Sequence, residues 1–179
     1  PNYDLTEEIL DQTYQDAVAE GAPPTMLMLC SPCNPLGKIY DASTLKMCMR
    51  WCAERDMHLI SDEIYAASLF PRQKFTSVAQ LCHEMAPDNP DYLGNRVHVL
   101  WGLSKDFGLP GLRVGTVFTH NSELRKSLSE LAMTQQVSSL TQHAVTLAFQ
   151  DQAWVGDYLS DTSAQLEAAY RGMEEALRA

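Results

Sequence analysis

Leu103-Ser-Lys-Asp-Phe-Gly-Leu-Pro-Gly-Leu-Arg-Val-Gly115 puts a lysine in a turn and an arginine eight positions later, with Gly108, Pro110 and Gly111 between them. A lysine amine condenses with a carbonyl, and an arginine fork pairs with a phosphate. The apolar run Val97 to Trp101 predicts a strand entering this turn, and Arg113 to Thr119 predicts one leaving it. Ligands of open α/β sheets collect at the carboxyl ends of strands. Working outward, Asn34 follows the predicted strand Met26 to Cys30, and Asp62 follows the predicted strand His58 to Ser61. Asn34, Asp62 and Lys105 are therefore expected at one edge of one sheet.

The remaining pattern is mostly strand followed by helix, which predicts a parallel sheet with helices on both faces. A helix is expected from Leu5 to Glu20, with Ile9, Leu10, Thr13, Tyr14 and Ala17 on one face. Asp41 or Ser43 would cap the next helix, which runs to about Arg55. A short helix is expected around Thr76 to Cys82, then a polar loop through Pro87-Asp-Asn-Pro90. Helices over Ser122 to Met133 and Leu140 to Phe149 follow, and a last one begins near Gly156. Met26 and Met28 read as buried strand positions, Trp101 as a core residue, and the polar stretch near Asp151 as a hinge.

Three motifs fall in a fixed order: Ser31-Pro-Cys-Asn-Pro-Leu-Gly37, Ser61-Asp-Glu-Ile-Tyr65 and the lysine segment. Taken singly, Asn-Pro is a simple turn, Tyr65 a core aromatic, Asp62 a strand-end cap, and Lys105 a surface lysine beside Asp106. Together they resemble the signature of the class I/II, fold-type I aminotransferases, and Ser-Lys-Asp-Phe-Gly-Leu-Pro-Gly-Leu-Arg is most similar to the 1-aminocyclopropane-1-carboxylate (ACC) synthase-like branch. The fold implied is α/β, a three-layer α/β/α sandwich around a mostly parallel sheet. Residues 1–155 would form the large cofactor domain, incomplete on its N-terminal side, and 156–179 a helix leading toward a small domain. A segment of a longer polypeptide is expected, inactive on its own.

The resemblance also implies pyridoxal 5'-phosphate (PLP), which carries both an aldehyde and a phosphate. Lys105 would be the Schiff-base lysine and the base that moves the substrate's α proton. Asp62 would pair with the pyridine nitrogen, keeping the ring an electron acceptor. Glu63, on the opposite side of an extended backbone, would be structural. Tyr65 and Asn34 would hold the phenolic oxygen, and Arg113 the phosphate. Many relatives carry a serine three residues before the lysine, where this chain has Gly102, so Ser104 or an upstream segment would supply the remaining phosphate donors. An amino acid substrate and a homodimer are implied. Transamination, β-elimination by a C–S lyase acting on cysteine conjugates, and γ-displacement to ACC all draw on these residues. A non-catalytic interaction domain is the contrasting reading, against which intact Lys105, Asp62, Tyr65 and Arg113 argue.

Composition agrees with a globular enzyme segment: 179 residues, 45% hydrophobic and 20% charged. A formal net charge of -10 disfavours a nucleic-acid surface, which needs clustered cations. No apolar run approaches the ~20 residues of a membrane span, and no leader pattern is evident, so a cytoplasmic location is expected. Cys30 and Cys33 are two of five cysteines lacking a second pair at metal spacing, and are read as reduced thiols with Cys48, Cys52 and Cys82. His58, His83, His98, His120 and His143 match no metal spacing.

Overall fold

The computed structural model describes residues 3–85 and 95–178; the loop expected through Pro87 to Pro90 lies outside them. Four strands, β1 (Met26–Cys30), β2 (His58–Asp62), β3 (Val97–Gly102) and β4 (Gly115–Thr119), form one sheet in the order β1-β2-β3-β4. The first three are parallel, joined by helical crossovers, and β4 returns antiparallel to β3. The architecture is α/β with a mostly parallel sheet.

The helices are α1 (Glu7–Ala19), α2 (Ala42–Glu54), α3 (Val78–Met85), the single turn α4 (Leu103–Asp106), α5 (Ser122–Ala132), α6 (Ser139–Gln150) and α7 (Gln152–Arg178), with a 3-10 turn at Pro110–Leu112. Their starts follow capping chemistry, since side-chain oxygens satisfy N–H groups that lack helical partners. Thr6 accepts from the Ile9 amide, Asp41 from Thr44 at 2.7 Å and Asn121 from Leu124 at 2.8 Å. Asp41, and not Ser43, is thus the cap of α2. The last helix starts at Gln152, four residues before the expected Gly156, because Asp151 accepts from the Trp154 amide at 3.0 Å.

The core lies between one sheet face and α1–α3. Leu29, Leu59, Val97 and Val99 point into it from the strands, against Leu45, Cys48, Met49 and Cys52 of α2 and Val78 and Leu81 of α3. Trp51 of α2 and Arg55, just past its end, both donate to Asp11 of α1, at 2.7 and 2.6 Å, and the guanidinium lies 4.4 Å from the indole ring. Two expectations fail here. Ile9 is 50% exposed; from α1 it is Leu10, buried, and Tyr14, partly buried against Trp51, that face the core. Met26 and Met28 are 54% and 58% exposed. Successive strand residues alternate in direction, so Leu27 and Leu29 take the covered face and the methionines the other.

Burial pushes the Cys48 and Cys82 thiols up to about 11 and Cys52 to about 12, since apolar surroundings penalise a thiolate. Native protein at pH 8 should therefore be alkylated first at half-buried Cys33, while roughly one Cys48 thiol in a thousand is ionised. Labelling of Cys48, Cys52 and Cys82 should climb with pH or on unfolding, as read by mass spectrometry of digests. Equal labelling of all five in folded protein at pH 8 would contradict this packing.

Candidate active site

At the carboxyl end of β3 the chain turns sharply. Leu103 and Phe107 are buried on either side of Lys105, which is exposed. The Leu109 amide donates to the Leu103 carbonyl and the Gly108 amide to Lys105, both at 3.0 Å. Gly108 closes the turn at φ +60, a region L side chains avoid. Phe107 anchors it from below, stacked on Tyr158 with ring centroids 5.2 Å apart and packed against Phe149 at 4.9 Å. Lys105 Nζ stands 5.8 Å from the Tyr65 ring centroid and has no hydrogen bond or ion pair among the described residues.

Tyr65 reaches this place from the turn after β2, and Asn34 from the turn after β1. The Asn34 amide donates to the Tyr65 hydroxyl at 3.3 Å. Three segments far apart in sequence thus bring Asn34, Tyr65 and Lys105 together. Asp62 ends β2 level with Cys30 and Leu100; one carboxylate oxygen accepts from the Ile64 amide at 3.1 Å. Glu63 is buried and faces the other way, accepting from the Ser61 hydroxyl and the Val78 amide, both at 3.0 Å. Burial drives its pKa up despite those donors. Arg113 stands apart: it is exposed, left-handed at φ 54, and bonded to the Pro110 carbonyl at 3.0 Å. No hydrogen bond or ring contact joins it to the other four.

Asp106 is the residue that sequence reasoning underrated. It is 1% exposed and accepts from the Ser68 hydroxyl at 2.7 Å, the Trp101 indole at 2.8 Å and the Ala67 amide at 3.0 Å. Two of those donors lie 38 and 39 positions away in sequence, so no local pattern announces them. Trp101, expected in the core, is half-buried and spends its N–H on this carboxylate. Beside the site a cavity of about 610 Å³ is lined by Pro32, Asn34, Tyr65, Leu69, Phe70 and Tyr170.

The donor set suits a flat ring bearing an aldehyde and an ionised oxygen: an unpaired amine for the aldehyde, a hydroxyl–amide pair for the oxygen, and a carboxylate at the same sheet edge. The sequence model for aminotransferases of class I and II matches residues 1–179. The chain belongs to that family. Its members are PLP-dependent, and PLP is the cofactor this donor set fits. Curated relatives include 1-aminocyclopropane-1-carboxylate synthase 4 of Solanum lycopersicum, 35% identical over 97% of this chain and 37% of that protein. Synthase 6 of Arabidopsis thaliana is 34% identical over 94% and 33%. Among solved structures, a PLP-bound protein from Clostridium difficile 630 superposes with a TM-score of 0.70 at 18% identity, over 92% of this chain and 42% of that one. The chain therefore spans about a third of the length of the curated relatives named here.

Gly102, where many family members carry serine, has a structural reason. A Cβ there would sit 2.8 Å from the Val114 carbonyl oxygen and 3.3 Å from the Gly115 Cα, both backbone atoms. That same carbonyl accepts from the Leu103 amide at 3.1 Å. Gly102→Ser should destabilise the protein by about 1–3 kcal/mol, as overpacking does, without tightening phosphate binding. Denaturant unfolding and PLP titration of full-length protein test both halves; a stable variant with higher PLP affinity would contradict the assignment.

Proposed function

We propose that the intact protein is a PLP-dependent enzyme of amino acid metabolism with ACC synthase-like sequence, and that Lys105 is its cofactor-linking lysine. The observation that carries this reading is the convergence of Lys105, Tyr65 and Asn34 at the edge where β1, β2 and β3 end. When bound, PLP withdraws electrons from the α carbon of an attached amino acid and so weakens its C–H bond.

The chain's own residues prepare that chemistry. Lys105, exposed and free of a counter-ion, holds the cofactor and then moves the proton at the substrate's α carbon. Asp62 would turn its carboxylate toward the pyridine nitrogen and favour the protonated ring. Tyr65, steadied by the Asn34 amide, donates toward the phenolic oxygen and fixes the plane of the ring. Arg113 would offer its guanidinium fork to the phosphate on leaving the Pro110 carbonyl that it now bonds. Glu63, committed to Ser61 and Val78, holds the β2–α3 connection.

Residues 1–155 make up the cofactor domain in this reading, and 156–179 lead toward a small domain. Amino acids are the substrates, and the identity with ACC synthases puts S-adenosylmethionine first among those to test. A cytoplasmic homodimer completes the proposal, supported by apolar side chains left exposed, such as Met133 at 76% and Leu140 at 80%. No helix among the described residues is long and apolar enough to cross a membrane.

Borohydride reduction of PLP-loaded, full-length protein should leave the pyridoxyl group on Lys105, as located by peptide mass mapping; labelling of another lysine instead would sink the assignment. Product analysis with S-adenosylmethionine, cysteine conjugates and amino acid/2-oxoacid pairs should then show turnover of at least one. Lys105→Ala should lose roughly 10²-fold or more of it. Asp62→Asn should keep the cofactor and lose most activity, whereas Glu63→Gln, which retains the accepting oxygen, should remain active. The opposite ranking of these two variants would exchange their roles.

A further inference from the structure

We propose that Asp106 is a positioning residue for Lys105: its carboxylate ties the lysine turn to the turn carrying Tyr65 and so sets the distance between amine and cofactor ring. This inference rests on the assignment of Lys105 above.

The carboxylate occupies the seam between the two turns. One oxygen takes the Ser68 hydroxyl, and the other takes both the Ala67 amide and the Trp101 indole. The turn it grips is itself closed by backbone bonds, Ala66 to the Glu63 carbonyl at 2.9 Å and Ser68 to the Tyr65 carbonyl at 3.0 Å. Tyr65 is thus enclosed by a turn whose far end Asp106 holds. Lys105 is the next residue in the chain, in the single helical turn α4 that contains them both. Trp101, at the end of β3, closes the arrangement from the strand side and packs edge-on against Phe107 at 6.1 Å. No cation pairs with Asp106 among the described residues; N–H and O–H donors alone satisfy a group that is 1% exposed. A buried carboxylate costs several kcal/mol unless so satisfied, so the tie has strict geometry and resists slippage. Lys105, by contrast, has a flexible stem and, among the described residues, only the Tyr65 ring 5.8 Å away to fix its amine.

Capture of PLP depends on that placement, because the Lys105 nitrogen must reach the aldehyde carbon, form the carbon–nitrogen double bond and release the carbonyl oxygen as water. A misplacement of about 1 Å lowers such a rate about 10²-fold. An asparagine can preserve the tie: its oxygen accepts from Ala67 and Trp101 while its amide donates to the Ser68 oxygen.

The test uses full-length apo-protein and follows the rate of covalent capture of free PLP by visible absorbance, alongside thermal melting. Asp106→Ala should slow capture about 10²-fold, and Asp106→Asn should remain within about threefold of wild type. A folded Asp106→Ala protein that captures PLP at the wild-type rate overturns the proposal. So does an Asp106→Asn protein as slow as the alanine form, since charge and not the tie would then be at work. Should Asp106→Ala fail to fold, Ser68→Ala, which leaves both N–H donors in place, should slow capture about threefold to tenfold, and an unchanged rate there overturns it equally. Wild-type protein that captures PLP on another lysine defeats the parent assignment instead, before any variant is compared.

Discussion

The constraint on which the rest of the structure depends is the register of three parallel strands, of which β1 and β2 end level and β3 runs two residues further, to Gly102. Cys30, Asp62 and Leu100 stand in register across β1, β2 and β3. The ladder continues one step further, with the Ser31 amide donating to Asp62 and the Glu63 amide to Leu100, at 3.0 and 2.9 Å. Because the strands keep this register and end within two residues of one another, the turns that follow them emerge along one edge. A one-residue slip of any strand would send its buried side chains to the other face and withdraw its turn from the edge. The buried faces of Leu29, Leu59 and Val99 therefore enforce the placement of Asn34, Tyr65 and Lys105 at one edge.

Acids divide by environment in a way their sequence neighbours do not reveal. Glu63 and Asp106, next in sequence to Asp62 and Lys105, are buried, and their oxygens accept from N–H and O–H donors. Asp62 has one bonded oxygen and is half-buried at the sheet edge, which leaves it able to meet a ligand. Saturated carboxylates hold elements together, whereas partly satisfied ones are available for chemistry. The Gly102–Val114 contact adds a further limit: the segment leading into β4 returns so close to β3 that a Cβ at residue 102 would press on backbone.

Much of this was legible in sequence because it is local. Short apolar runs located all four strands within a residue or two, apart from the start of β4, and Thr6, Asp41 and Asn121 stand where helix starts were expected. The three motifs announced the family, since their residue types and order are rarely met together. What stayed hidden depends on partners far along the chain. The exposure of Met26 and Met28 follows from which face α1–α3 cover, and a run of five apolar residues carries no sign of that. Asp106 finds its donors 38 and 39 positions away, and Asp151 caps a helix that an amphipathic pattern alone starts at Gly156. The Arg113 backbone is left-handed and its side chain bonds the Pro110 carbonyl, two features that no motif encodes.

The long last helix has a mechanical consequence. α7 contains 27 residues, about 40 Å at 1.5 Å per residue, and only Asp151 separates it from α6. It is fastened along its length to the segment that carries Tyr65: Ser163 donates to the Leu69 carbonyl at 2.6 Å, across 94 positions, and Tyr170 meets Phe70 with centroids 5.3 Å apart. Nearer its start, Tyr158 stacks on Phe107 behind the lysine turn. The helix is a lever with two fulcra, one under each half of the site. Tilting its far end must either break the Ser163 bond or drag residues 69 and 70 along, so displacement at the end of the chain is geared to the walls around Tyr65.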